Sequence, residues 1–319
     1  MKTLSLDKIY AASVQAAQNP SAVSFQSVDF SQPFIHEKFT QLYYTPFYSQ
    51  LTHEQKLRYN QLYGIRTNEQ FMLFEQDFIN RVIVQLAKYN RVTKNSNLIR
   101  CMTQMVQEEK THHKIFLDLN KLCLPEIYCH REKYFMQLNR WDSFFFNLST
   151  SFPAYLTFLV WFIMIFEEYS IALSRSMIET EATESLGKLE NNFIKAHIRH
   201  IKDETRHIHI NVNLITECFT KDSKFNRKVN AFFLKTFFKD IIVPKRGGIA
   251  VFRHFIKEFP ELEPQKQAML KSLEALKNDD RFQKSLFNRE LMPYTFELFD
   301  ANPEFHSLER VLKGYTKSS

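Results

Sequence analysis

Four histidines, a glutamate and an aspartate fall within fourteen residues, HIRHIKDETRHIHI at 197–210, in a chain that has only 11 histidines in 319 residues. A helix advances about 100° per residue, which sorts this cluster by direction. With His200 at zero, Glu204 lies at about 40° and His207 at about −20°, so the three share one narrow stripe. His209 points about 180° away and reads as an outward residue. His197 is near the stripe in angle but roughly 10 Å along the axis from Glu204. Imidazole and carboxylate stacked over two turns are the donors of a metal site.

A second cluster, VQEEKTHHKIF at 106–116, repeats the pattern. Glu109 and His112 have the same Glu-x-x-His spacing as Glu204 and His207, and each glutamate follows an acid, Glu108 and Asp203 respectively. Glu109 with His113, or Glu108 with His112, are also one turn apart; Glu109 with His112 is preferred because it matches the second copy. His113 is then a neighbour. Helical bundles that hold two metal ions use two such pairs plus a glutamate from each of two further helices. Glu75, 34 residues before Glu109, and Glu167 or Glu168, 36 or 37 residues before Glu204, are placed to be those glutamates. A carboxylate inside FLVWFIMIFEE costs several kcal/mol unless it is paired or coordinated. Four carboxylates balance two divalent ions, and oxygen and imidazole donors suit iron, with manganese as the alternative. Asp203 and Glu108 are placed to accept hydrogen bonds from the ligand histidine of the opposite copy.

Helices must carry these stripes, and the chain reads as helical throughout. It is 44% hydrophobic and 15% aromatic, with five glycines: Gly64, Gly187, Gly247, Gly248 and Gly314. That shortage disfavours sheet-rich folds and leaves no glycine-rich phosphate loop, so a built-in nucleotide site is not expected. Helical periodicity marks 68–90, 96–122, 153–180, 188–220, 222–242 and 261–300, with Pro153 read as a first-turn residue. Pro125, Pro244, Pro260, Pro264, Pro293 and Pro303 punctuate the pattern. Residues 1–50 read as an N-terminal extension and 51–319 as one all-α domain. The uncharged stretch 144–166 is read as a central helix buried on all sides, because its strongly apolar part is shorter than the roughly 20 residues a span needs. The opening residues show no secretory signal, and Cys101, Cys123, Cys129 and Cys218 have no C-x-x-C spacing, so free thiols and a cytoplasmic setting are expected. The net charge of +7 suits an acidic partner. The basic, phenylalanine-rich window 221–240 has the spacing of an amphipathic helix, so no nucleic-acid partner is expected.

Together, NEQFMLFEQ around Glu75, EEKTH at 108–112, LVWFIMIFEEYSIAL around Glu167 and HIKDETRH at 200–207 resemble the para-aminobenzoate N-oxygenase family. Those proteins are non-haem diiron monooxygenases of the ferritin-like superfamily. The resemblance spans roughly residues 60–220. It implies a ferritin-like helical bundle with additional flanking helices, and a third histidine, at the place of His200, one turn before the second Glu-x-x-His pair. Carried over, one iron is held by Glu75, Glu109 and His112, the other by Glu204, His207 and His200. Glu167 completes the set, chosen over Glu168 by the register of the following IAL. Glu108 stands where the family commonly has aspartate.

The resemblance further implies dioxygen as co-substrate, activated through a peroxo-bridged diferric state, and oxygen transfer to an amine nitrogen in secondary metabolite biosynthesis. The substrate is then a small-molecule amine, free or tethered to a carrier protein. Electrons come from an external ferredoxin or reductase, and a homodimer without membrane attachment is expected. Two other readings share the ligand set: a diiron C–H hydroxylase or desaturase, and a non-catalytic ferritin-like iron-binding protein. Tyr169 is the nearest tyrosine for radical chemistry, but two residues from Glu167 it points to another side of the helix.

Overall fold

A computed structural model describes residues 4–18, 23–243 and 247–315. The longer helices, in chain order, are α1 (Leu6–Gln18), α2 (His53–Met72), α3 (Asn80–Leu86), α4 (Ser96–Cys123), α5 (Arg140–Ser151), α6 (Phe158–Glu179), α7 (Asn191–Ile215), α8 (Lys224–Ile241), α9 (Gly247–Glu258), α10 (Lys266–Ala275), α11 (Asp280–Leu286) and α12 (Pro293–Ala301). No strand occurs among the described residues. The architecture is all-α, a ferritin-like bundle of α2, α4, α6 and α7 with flanking helices.

Local signals explain where the bundle helices start and stop. Thr52 caps α2 and forms a reciprocal capping box with Gln55, satisfying two donors that the first turn leaves orphaned. Asn95 caps α4, and the Glu190 carboxylate accepts the backbone N–H groups of Asn192 and Phe193 to open α7. Pro125 ends α4 by driving Leu124 out of the helical region.

Three expected helices differ in extent. The helix expected over 68–90 starts at His53, and between α2 and α3 it passes through a π-helical stretch, Leu73–Ile79. The segment expected from Pro153 begins at Phe158 instead. Proline cannot donate the hydrogen bond that would carry α5 onward, so α5 ends at Ser151 and a turn separates the two helices. The stretch 261–300 is not continuous; short helical turns and three helices share it. Pro244 lies outside the described residues.

The stretch 144–166 is likewise divided rather than one buried helix. Its first half belongs to α5, whose Trp141, Phe144 and Phe145 are exposed, while Val160 to Phe166 of α6 are buried. No helix among the described residues is long and apolar enough to cross a membrane. Helix α1 lies across α4 and α7, with Ile9 in the core.

Packing then sets the frame for the site. Helix α6 lies along α7, α2 along α4, and α4 along α7. Where the π-helical stretch after α2 meets α6, the seam is filled by aromatic rings: Phe74 lies 4.4 Å from Phe166 and 5.3 Å from Phe162, centroid to centroid. Near the far end of α2, the buried Glu69 carboxylate takes the Tyr128 hydroxyl and the backbone N–H groups of Tyr134, Phe135 and Met136. That contact holds the loop after α4 against the bundle.

Candidate metal centre

Four segments meet at the middle of the bundle, and each contributes a carboxylate. Glu75 comes from the π-helical stretch, Glu109 from α4, Glu167 from α6 and Glu204 from α7; all four are fully buried. His112, His200 and His207 are buried with them. Ligand atoms of Glu75, His112, His200 and Glu204 lie within 4.8 Å of one another, and so do those of Glu109, Glu167, Glu204 and His207. Two adjoining donor groups therefore share Glu204.

The ring nitrogens give the direction of each imidazole. His112 turns Nδ1 inward, 3.2 Å from both Glu109 Oε2 and Glu204 Oε1. His207 also turns Nδ1 inward, 3.2 Å from Glu109 Oε1 and 3.5 Å from Glu204 Oε1. Glu109 thus faces both rings, one with each oxygen. His200 presents Nε2 instead, 2.9 Å from Glu75 Oε1 and 3.1 Å from Glu204 Oε1. The expected sharing of ligands changes accordingly: His200 groups with Glu75 and His112, not with His207. Four residues before Glu204, it stands a turn toward the level at which Glu75 enters from the π-helical stretch, whereas His207 is three residues after Glu204, on the side of Glu167.

The outer nitrogens are held as well. His112 Nε2 is 3.0 Å from Asp203 Oδ2, and His207 Nε2 is 2.9 Å from Glu108 Oε2. Each acid serves the histidine of the other Glu-x-x-His copy, which fixes ring orientation and strengthens the imidazole as a donor. Among the described residues, His200 has no such acid. Its ring lies against Phe71 and Phe116, at 5.1 and 5.3 Å between centroids.

Elementary electrostatics tests whether cations fit. Among the described residues, Glu75 Oε2, Glu204 Oε2 and both Glu167 oxygens have no hydrogen-bond partner, while Glu109 Oε1 and Glu204 Oε1 face imidazole nitrogens at 3.1–3.5 Å without hydrogen-bond geometry. Buried polar atoms left in that state are costly unless something coordinates them. Burial and the nearby Glu109 carboxylate push the Glu75 carboxyl well above its ordinary pKa. Burial acts the same way on Glu109, but the charges and hydrogen bonds of His207 and His112 together outweigh it and draw that carboxyl down to about 2. Burial also disfavours charged His112 and His207, yet the facing carboxylates raise both well above the ordinary value. The centre thus collects positive charge, as protons when no metal is bound, and two divalent ions would neutralise its four carboxylates. Donors, charge and unpartnered atoms all fit a pair of iron or manganese ions.

The remaining candidates lie apart. Glu168, next to Glu167, turns away and accepts the backbone N–H groups of Tyr294 and Thr295 at the start of α12; burial raises its pKa to about 7. His113 pairs with Glu132 at 3.5 Å. His197 is buried beside Ser174 Oγ at 2.9 Å. His209 was expected to face outward, but it is buried and its ring lies 6.5 Å from Tyr294. It does point away from the cluster; α12, which covers that face, had no signature in the helix angles.

Sequence reasoning passed over Arg199 and Arg206, which engage Asp203 and Glu108. The i,i+4 and i,i+3 spacing to Asp203 was the available signal. It also passed over a cavity of about 260 Å³ on the outer side of the α2–α6 seam. Phe74, Phe162, Ile165 and Phe166 form an apolar wall there, and Arg66 and Gln70 a polar one. Phe74 and Phe166 are chain neighbours of Glu75 and Glu167, but no residue of the cluster lines the cavity.

Residues 6–274 match the family model described as P-aminobenzoate N-oxygenase AurF. None of the curated proteins compared with the chain matches it. The match takes in all four segments that supply the cluster, both Glu-x-x-His pairs and the N-terminal helix α1, so the chain belongs to the p-aminobenzoate N-oxygenase family.

Proposed function

We propose that this protein is a diiron N-oxygenase that takes an oxygen atom from dioxygen and places it on the nitrogen of an amine substrate. The observation that carries the reading is the convergence of four buried glutamates and three buried histidines with unpartnered oxygens at the centre of a helical bundle. Glu75, His112 and His200 would hold one ion and Glu167 and His207 the other, with Glu109 and Glu204 facing both. Bound there, the ions supply dioxygen activation and electron storage.

The chain's own residues supply the rest. Asp203 and Glu108 keep the outer imidazole protons in place, so Nδ1 of His112 and His207 stays free for metal. Phe71, Phe74, Phe116 and Phe166 exclude water around the centre, which strengthens every electrostatic interaction inside it. The cavity along the α2–α6 seam would take the substrate, with its body on the Phe162–Phe166 wall and the amine toward Glu75 and Glu167. Electrons would come from a separate ferredoxin or reductase, and an acidic donor suits the +7 charge.

Oxygen-18 gas, a chemical reductant and a panel of apolar primary amines test the reading by mass spectrometry. Label on nitrogen is expected. Label on carbon would assign a C–H hydroxylase instead, and turnover-free iron uptake would assign a binding protein.

A further inference from the structure

The two metal-facing imidazoles are braced by acids, and those acids share one cation. Asp203 accepts from His112 Nε2 at 3.0 Å, and Glu108 accepts from His207 Nε2 at 2.9 Å. Arg206 Nη2 donates to both acids, 2.5 Å from Glu108 Oε1 and 2.5 Å from Asp203 Oδ1. Its other donors are engaged too: Nη1 with the Lys202 carbonyl at 2.8 Å, and Nε with Ser13 Oγ of α1 at 3.0 Å. Among the described residues, Arg199 engages Asp203 alone.

We propose that Arg206 is a positioning residue that orients His112 and His207 together, and so sets the affinity of both metal ions at once. The chain of contacts runs from Arg206 through Asp203 to His112, and through Glu108 to His207. Without it, two buried acids would stand side by side with no common cation. Like charges would then drive them apart, and each would release the imidazole it orients. A planar guanidinium held on all its edges can fix two carboxylates; an ammonium, a single point charge, keeps the attraction but not the geometry. Because Ser13 seats the Nε edge, α1 belongs to this brace. Arg199 reinforces only the branch through Asp203.

The inference rests on the two-ion reading given above, and the test keeps the two apart. Anaerobic cobalt(II) is titrated into the metal-free full-length protein, following its visible absorption bands, for the wild type and for Arg206→Gln, Arg206→Lys and Arg199→Gln. The wild type should bind two ions. Arg206→Gln should weaken both binding steps by about 10- to 100-fold, the usual cost of losing an outer-sphere partner, and Arg199→Gln only one of them. Arg206→Lys preserves the buried charge should the glutamine variant fail to fold; it should recover part of the affinity with altered band shapes. A purely structural role would lower the folded fraction without separating the two steps. The inference is overturned if both Arg206 variants bind both ions within about threefold of wild type, or if they weaken one step alone. A wild type that binds fewer than two ions overturns the two-ion reading itself, and the brace with it.

Discussion

At the scale of single residues, the three histidines are not equivalent. His112 and His207 each carry an acid on the outer nitrogen, while His200 is held by two phenylalanine rings and its Nδ1 has no partner. His200→Ala should therefore weaken one ion strongly and leave the other near wild-type affinity, read by metal analysis after dialysis. His113→Ala should retain both ions, since its partner is Glu132 on the outside. The inward direction of His200, Glu204 and His207 was legible because helical angle turns spacing into direction, and the repeated Glu-x-x-His singled out Glu109 with His112; Glu75 followed from the bundle rule, and Glu167 over Glu168 rested on the family resemblance. Which histidine joins which glutamate was not legible, because that depends on the height at which Glu75 and Glu167 enter from other helices. The Arg206 brace escaped notice for a related reason: a charged residue beside the ligands reads as a solvated face until the acid across the bundle is in place.

At the scale of elements, helix existence was readable and helix continuity was not. Caps such as Thr52 and breaks such as Pro125 act within a few residues. The π-helical stretch that carries Glu75 depends on the neighbours it packs against, as such stretches at functional sites commonly do. Close approach of elements imposes its own demands. A Cβ on Gly64 of α2 would lie 2.6 Å from Phe34 Cβ, in front of a ring stacked on Phe193 at 4.1 Å. Gly64→Ala should cost about 1–3 kcal/mol in chemical denaturation.

Helix α9 is fastened to α2 by Arg58, whose Nε and Nη2 lie 2.6 and 2.7 Å from the Glu258 carboxylate. Burial would raise that carboxyl, but the Arg58 and His254 contacts outweigh it and hold its pKa at about 2. A folded-state pKa below the unfolded one gives stability that is present above the ordinary carboxyl range and lost as pH falls toward about 2. The pair is partly solvated, so the contribution is about 1 kcal/mol. Thermal melts of Glu258→Gln should converge with the wild type between pH 4.5 and pH 2 and fall below it at pH 7.

At the scale of the whole molecule, the bundle is organised around a centre that is costly without cations. Four buried carboxylates in contact cannot all ionise cheaply, and protons on Glu75, His112 and His207 are the substitute when metal is missing. Any ion that binds the folded chain and not the unfolded one stabilises it by mass action, about 2.7 kcal/mol at a hundredfold excess over Kd. Iron(II) or manganese(II) should accordingly raise the melting temperature and a chelator should lower it. The increase should shrink as pH falls, because protons then compete for the same imidazoles. The family match from residue 6 to residue 274 takes in every segment that supplies the cluster, from the π-helical stretch to α7.

Glu204 is common to both donor groups, so its removal tests the centre most directly. Anaerobic iron(II) binding should reach two ions per chain in the wild type and fewer than one in Glu204→Ala, with the variant's helical content unchanged by circular dichroism. Two tightly bound ions in Glu204→Ala would contradict the account.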